Sequence, residues 1–215
     1  AQAILVSPFD GVAYGQLDHI GVPIIECAEY METSALGRAE WMRFYGALVG
    51  REKVADSLFE EVERNYIEWS DMARKAKTKP RVITERVVSG AWYCPGGKSS
   101  MARLIADAGG CYVFADDKHS GSLTLSPEKV IDKAASADRW LFVGNGKTLM
   151  TRRQLLSEYK GYGLLRAFRK GQVYECLPSN SNPYFEESSF RPDFLLIDFI
   201  SIFHPELVKG IAPHY

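Results

Sequence analysis

The chain has 215 residues, 46% of them hydrophobic, which is enough to bury one substantial core or two small ones and excludes a disordered chain. Charge is nearly balanced, at 26 Lys+Arg against 27 Asp+Glu, so no long-range basic field argues for nucleic acid as a partner. No apolar run approaches the ~20 residues that cross a bilayer, and "AQAILVSPFD" lacks the basic head and cleavage site of a signal peptide; the chain as it stands is expected to be soluble, any export signal having been removed or never included.

In chain order, the opening segment reads as strand, short helix, strand: "AILVS" (3–7), a turn with Pro8 and Gly11, "YGQLDHI" (14–20) and "VPIIEC" (22–27). Continuous apolar runs of this kind suit parallel strands covered on both faces. In "ALGRAEWMRFYGALVG", Leu36, Trp41, Phe44, Tyr45 and Leu48 recur at helical steps, predicting an amphipathic helix that ends near Gly50. A second helix over about 51–77 carries Val54, Leu58, Val62, Tyr66 and Trp69 on one face and many charges elsewhere. At 1.5 Å per residue it would span roughly 40 Å and could bridge two lobes. Pro80 stops it.

Beyond Pro80 strands alternate with helices: "RVITERVV" (81–88), helix 99–108, "CYVFA" (111–115), helix 127–135, "RWLFVG" (139–144), helices 151–157 and near 162–169, "QVYEC" (172–176), and a terminal helix in 191–208 opened by Pro192. That order predicts a mostly parallel α/β sheet. Ligands bind outside the carboxyl ends of such strands, which singles out the loops 28–35, 88–98, 116–126, 144–150 and 177–191. These hold large aromatics with a few polar groups, a mixture suited to a bulky organic ligand.

"WYCPGGKSSM" (92–101) has the Gly-Gly-Lys-Ser look of a phosphate-cradling loop. That loop needs glycine six positions before its lysine, and six before Lys98 stands Trp92. A nucleoside triphosphate is therefore not expected here. The tight glycines place Lys98 and exposed backbone N–H groups near a helix N-terminus, an arrangement that favours an anionic group such as a carboxylate or catecholate.

The four cysteines, Cys27, Cys94, Cys111 and Cys176, show no C-x-x-C pair. Cys27, Cys111 and Cys176 read as buried free thiols in or at the ends of strands, and Cys94 as a loop residue. His119 beside Asp116 and Asp117 reads as a turn, and no direct protein–metal site is expected, because His19, His204 and His214 fall elsewhere. Glu32, Arg38 and Lys98 could do acid–base work, but no nucleophile with an adjacent base appears, and Ser99 and Ser100 lack a nucleophile elbow. No catalytic residue is assigned.

"GVPIIECAEYMETSALGRAEW", "REKVADSLFEEVERNYIEW", "WYCPGGKSSMARLIADAGG", "LSPEKV" and "RPDFLLIDFISIFHPEL", in that order, resemble the substrate-binding proteins of ABC importers for ferric siderophores, cobalamin and haem. The resemblance implies two Rossmann-like α/β lobes joined by one long helix. Residues 1–50 would be the remainder of an N-terminal lobe whose start is missing, 51–79 the linker helix and 80–215 the C-terminal lobe. It also implies a non-enzymatic role in an inter-lobe cleft, no intrinsic cofactor, a ferric siderophore or similar chelate as ligand (alternatively cobalamin or haem), an ABC permease as partner, and export to the periplasm, with or without a lipid anchor. Motif by motif, Trp92, Tyr93 and Lys98 would meet the ligand from the second lobe, as would Tyr184 and Phe185 of "YFEES", with Tyr30 and Glu32 approaching from the first. Asp10 would dock on the permease, whereas Ser99 and Ser100 stand where some members carry the second docking glutamate. A cofactor-binding enzyme or chelatase-like scaffold of the same architecture is the competing reading.

Overall fold

The computed structural model describes residues 1–8, 14–211 and 214; Asp10, the expected docking residue, lies outside them. The first two strands, β1 (Ile4–Val6) and β2 (Ile24–Glu26), form a parallel pair with Ile4 opposite Ile24. The intervening "GQLDH" is a 3-10 turn, Gly15–His19.

Two helices follow. Ser34 caps α1 (Ala35–Leu48), its hydroxyl accepting from the Gly37 N–H at 3.0 Å. α2 (Glu52–Ala73) packs back along α1, and their crossing is tight at Gly46, where an added Cβ would stand 2.4 Å from the Ala55 Cβ. The buried face of α2 is Ala55, Phe59, Val62, Tyr66, Ser70 and Ala73, while Val54 and Leu58, expected on it, are exposed. The helix is long enough that the apolar stripe drifts round its axis, and the two N-terminal residues of the expected stripe end on the wet side.

The central sheet is wholly parallel, in the order β6 (Cys111–Tyr112), β3 (Arg81–Thr84), β8 (Arg139–Val143), β9 (Val173–Cys176). Val82 and Ile83 on β3 are fully buried, as expected of a strand covered on both faces. The chain leaves β3 toward one neighbour, β6, and then crosses back to β8 on the other side. β3 and β8 therefore flank the topological switch point.

The sequence expectation of one strand over 81–88 fails at Glu85, which adopts φ 63 and turns the chain out of the sheet. A second, antiparallel sheet begins there: β4 (Val87–Val88), β5 (Ala91–Pro95) and β7 (Ser122–Leu125), with β5 in the middle. β4 and β5 are joined by Ser89-Gly90, both at positive φ (50° and 82°), the backbone of a two-residue hairpin turn. The expected loops 88–98 and 116–126 are thus partly strand.

Around the central sheet lie α3 (Ser100–Asp107), α4 (Pro127–Ala134), α5 (Arg152–Glu158), α6 (Arg166–Arg169), α7 (Tyr184–Glu187) and α8 (Pro192–Phe203). The helix expected near 162–169 is split into a 3-10 turn, Lys160–Leu164, and the single turn of α6. Thr151 and Gln154 make a reciprocal capping box on α5, and Ser126 with Pro127 opens α4. α8 is buried almost all round, through Leu195, Leu196, Ile197, Phe199, Ile200 and Phe203. It is tied to α2 at Asp193, a buried carboxylate that accepts from Arg191 (2.8 and 3.0 Å) and from Asn65 (3.0 Å). No helix among the described residues is long and apolar enough to cross a membrane.

Candidate functional site

The first residue to place is Trp92. It lies in β5 with no exposed surface, packed against Trp140 (ring centroids 6.1 Å apart) and edge-on to Tyr162 (5.5 Å). Its indole N–H donates to the Thr84 carbonyl at 3.0 Å, and the Trp140 indole donates to the Glu85 carbonyl at 2.7 Å. The expectation that Trp92 touches a ligand is therefore corrected: it is core, because the "AWYC" run is a central strand rather than a loop. What it does is hold the end of β3. Two indoles satisfy two consecutive carbonyls where the ladder stops, and the Glu85 N–H donates to the Leu141 carbonyl at 2.9 Å.

The glycine loop is likewise structural. Cβ atoms on Gly96 and Gly97 would stand 2.2 Å from the His119 carbonyl oxygen and 2.4 Å from those of Asp117 and Phe114, so these glycines permit a close backbone crossing with 114–121. The N–H groups expected to face an anion are already used: Gly96 donates to Gly121, Lys98 to His119 and Ser99 to Gly96. Ser99 caps α3 through the Ala102 N–H. Lys98 and Tyr93 are exposed, and neither lines the cleft described next. Nor do Tyr30, whose hydroxyl donates to the Pro8 carbonyl, and Glu32, which accepts from the Trp41 indole at 3.0 Å.

The cleft lies where the switch-point rule puts it. A cavity of about 520 Å3 opens at the carboxyl ends of β3 and β8, lined by Glu85 and Arg86 after β3, Val143–Gly146 after β8, and Tyr184 and Phe185 of α7. Tyr184 and Phe185 are the two expected ligand residues that the fold brings here, their rings edge to face at 5.4 Å. Phe185 is 65% exposed. Tyr184 is half-buried, and burial with the nearby Glu85 charge raises its hydroxyl well above the usual phenol range. Tyr184 also walls a smaller cavity with Arg38 and Met101, and a larger one of about 550 Å3 between β8, β9 and α8, so it sits where three hollows meet.

Of the two charged residues lining the cleft, Arg86 is neutralised. It is paired with Glu158 and donates to Asn145 at 3.1 Å, while the Tyr162 hydroxyl donates to the other Glu158 oxygen at 2.7 Å. Glu85 has no ion pair or side-chain hydrogen bond among the described residues, and burial lifts its carboxyl from 4.5 to about 6 against the opposing pull of Arg86. Sequence reading missed both residues, because they were assigned to the interior of a single strand. The visible signal was a charged pair, Glu85-Arg86, interrupting an apolar strand.

Other chemistry is sparse. Asp116 pairs with Lys133, and His119 folds onto Asp117; no group of three or more His, Cys, Asp or Glu among the described residues is placed to hold a metal. All four cysteines are free. Cys94 is buried in β5 rather than in a loop, and burial pushes its thiol up to about 12; Cys111, expected to be buried, is exposed.

A sequence family described as periplasmic binding protein matches residues 4–179. An uncharacterized lipoprotein of Methanocaldococcus jannaschii is 29% identical over 219 residues, an alignment that takes in 100% of this chain and 50% of the relative. The chain spans about half the length of the curated relatives it matches. Among solved structures, a protein of an ABC-type Fe3+-hydroxamate transport system from Saccharomonospora viridis superposes with TM-score 0.73 at 18% identity, over 94% of this chain and 69% of that one. A periplasmic heme-binding protein from Roseiflexus sp. gives TM-score 0.69 at 21% identity, over 94% and 76%. At such identities the structural likeness speaks for the fold.

Proposed function

The chain belongs to the periplasmic binding protein family, and from that premise we propose that it is part of the solute-binding component of an ABC importer, holding a ferric siderophore or similar large chelate in the cleft at the carboxyl ends of β3 and β8. The observation that carries this reading is the cleft itself: two adjacent aromatic rings, Tyr184 and Phe185, over a strand-end crevice whose one arginine is already paired. Stacking surface with sparse polar anchors suits binding without covalent chemistry. Haem and cobalamin offer the same large flat faces, and the hydroxamate- and heme-binding neighbours support this range of ligands.

In this reading residues 1–50 belong to one lobe, α2 within 51–79 is the linker, and 80–215 form the lobe that carries the cleft. The permease is the protein partner. The location is periplasmic with a lipid anchor, which the lipoprotein relative supports. The test is calorimetric titration of the full chain with a ferric trihydroxamate, haemin, cobalamin and ATP. Saturable binding of one chelate and none of ATP is expected. Binding of ATP alone would overturn the proposal.

A further inference from the structure

Glu85 combines three features that packing alone does not call for. It is a non-glycine residue held at φ 63, a conformation that L-residues seldom adopt. It stands at the end of the central strand, on the switch point, and lines both the cleft and the larger cavity behind it. Its side chain is half-buried, and its carboxylate receives no hydrogen bond and no ion pair among the described residues. Backbone held in a sparsely populated region by its surroundings, here by the Leu141 carbonyl on one side and the Trp140 indole on the other, is characteristic of functional positions.

Resting on the ligand-cleft reading above, we propose that Glu85 is the charge-recognising group of the site, selecting chelates that present a pendant ammonium to the switch point. The electrostatics of the walls favour this polarity. Arg86, the one cation lining the cleft, is committed to Glu158 and Asn145, which leaves the Glu85 carboxylate as the unmatched charge. The remaining groups that sense it are uncharged at neutral pH: the Cys94 thiol on β5, the Tyr112 phenol on β6 and the Tyr184 phenol on α7, each raised in part by the Glu85 charge. Across the larger cavity the charged residues are engaged elsewhere. Arg139 donates to the Ile202 carbonyl, Asp198 accepts from the His214 N–H, and Glu175 accepts from the Met150 N–H through Oε2, its Oε1 being buried beside Gly144 and outside the lining of the cleft that holds Glu85 and Arg86.

A buried carboxyl without donors takes up a proton more readily than a free one, and an arriving ammonium displaces that proton. Binding of the cationic chelate is therefore coupled to release of a proton from Glu85, and its affinity rises with pH through the region near 6. A neutral chelate of the same shape shows no such coupling.

The test uses the full chain and two probes, a ferric trihydroxamate with a pendant ammonium and its N-acetylated, uncharged twin, titrated into wild type and Glu85→Gln at about pH 5 and about pH 7.5. Wild type is expected to prefer the ammonium probe by about tenfold at the higher pH, as a charge-assisted hydrogen bond provides, and to lose that preference at the lower. Glu85→Gln is expected to bind both twins alike at both values. Equal binding of the twins by wild type at the higher pH would overturn the role of Glu85 while leaving the cleft reading intact. Binding of neither twin by any form would remove the hydroxamate reading, and this inference with it.

Discussion

Replacing Glu85 by glutamine removes an ionisable group from a desolvated position without changing its shape. Because the folded-state carboxyl is raised, ionisation favours the unfolded chain: the penalty is absent well below 4.5, develops between 4.5 and about 6, and is fully present above. The rise corresponds to about 2 kcal/mol of destabilisation at neutral pH, an upper figure given that the site borders an open cleft. Glu85→Gln is therefore expected to be more stable than wild type by about 1–2 kcal/mol near pH 7.5 and indistinguishable from it near pH 4. Urea unfolding at the two values, with unchanged slopes, reads this directly. A stability difference that is the same at both would show that Glu85 incurs no ionisation penalty in the folded chain, because a change in packing or hydrogen bonding alone carries no pH dependence.

Trp92→Ala should cost about 3–5 kcal/mol by opening a cavity beside Trp140 and Tyr162, whereas Trp92→Phe should cost about 1–3, chiefly because the Thr84 carbonyl loses its indole donor. Urea unfolding of both variants checks this; a loss under 1 kcal/mol for the alanine variant would return Trp92 to the surface. Alkylation followed by mass spectrometry should label Cys111 in the native state and leave Cys94 untouched until the chain unfolds, since burial holds the Cys94 thiol protonated. Equal native labelling of the two would contradict the burial of β5.

The α/β alternation beyond Pro80 was legible because each helix carries its own start signal, such as Ser99, Ser126-Pro127 or the Thr151–Gln154 box, and each strand of the parallel sheet is a short apolar run. The antiparallel sheet was not. Pro95, Gly96 and Gly97 made 88–98 read as a loop, although Ser89-Gly90 between Val88 and Ala91 is a hairpin signal. That misassignment turned the buried Trp92 into a ligand contact, and reading 81–88 as a single strand put the half-buried bend at Glu85-Arg86 in a strand interior. The glycine pair misled for a related reason. Glycine next to lysine suggests anion binding, but close approach of another backbone segment demands the same residue, and only the 114–121 crossing distinguishes the two. The placing of Tyr184 and Phe185 beside the strand ends was legible because the strand-end rule needs only the order of elements, which the sequence displays.

Under the proposed function the ligand rests on Phe185 and its neighbours rather than on the Tyr93–Lys98 segment. The decisive comparison is chelate affinity in Phe185→Ala against Tyr93→Ala, both at exposed positions where folding is not at risk. Phe185→Ala is expected to bind about tenfold more weakly, from lost stacking area, and Tyr93→Ala to bind as wild type does. The reverse pattern would contradict this placement of the ligand.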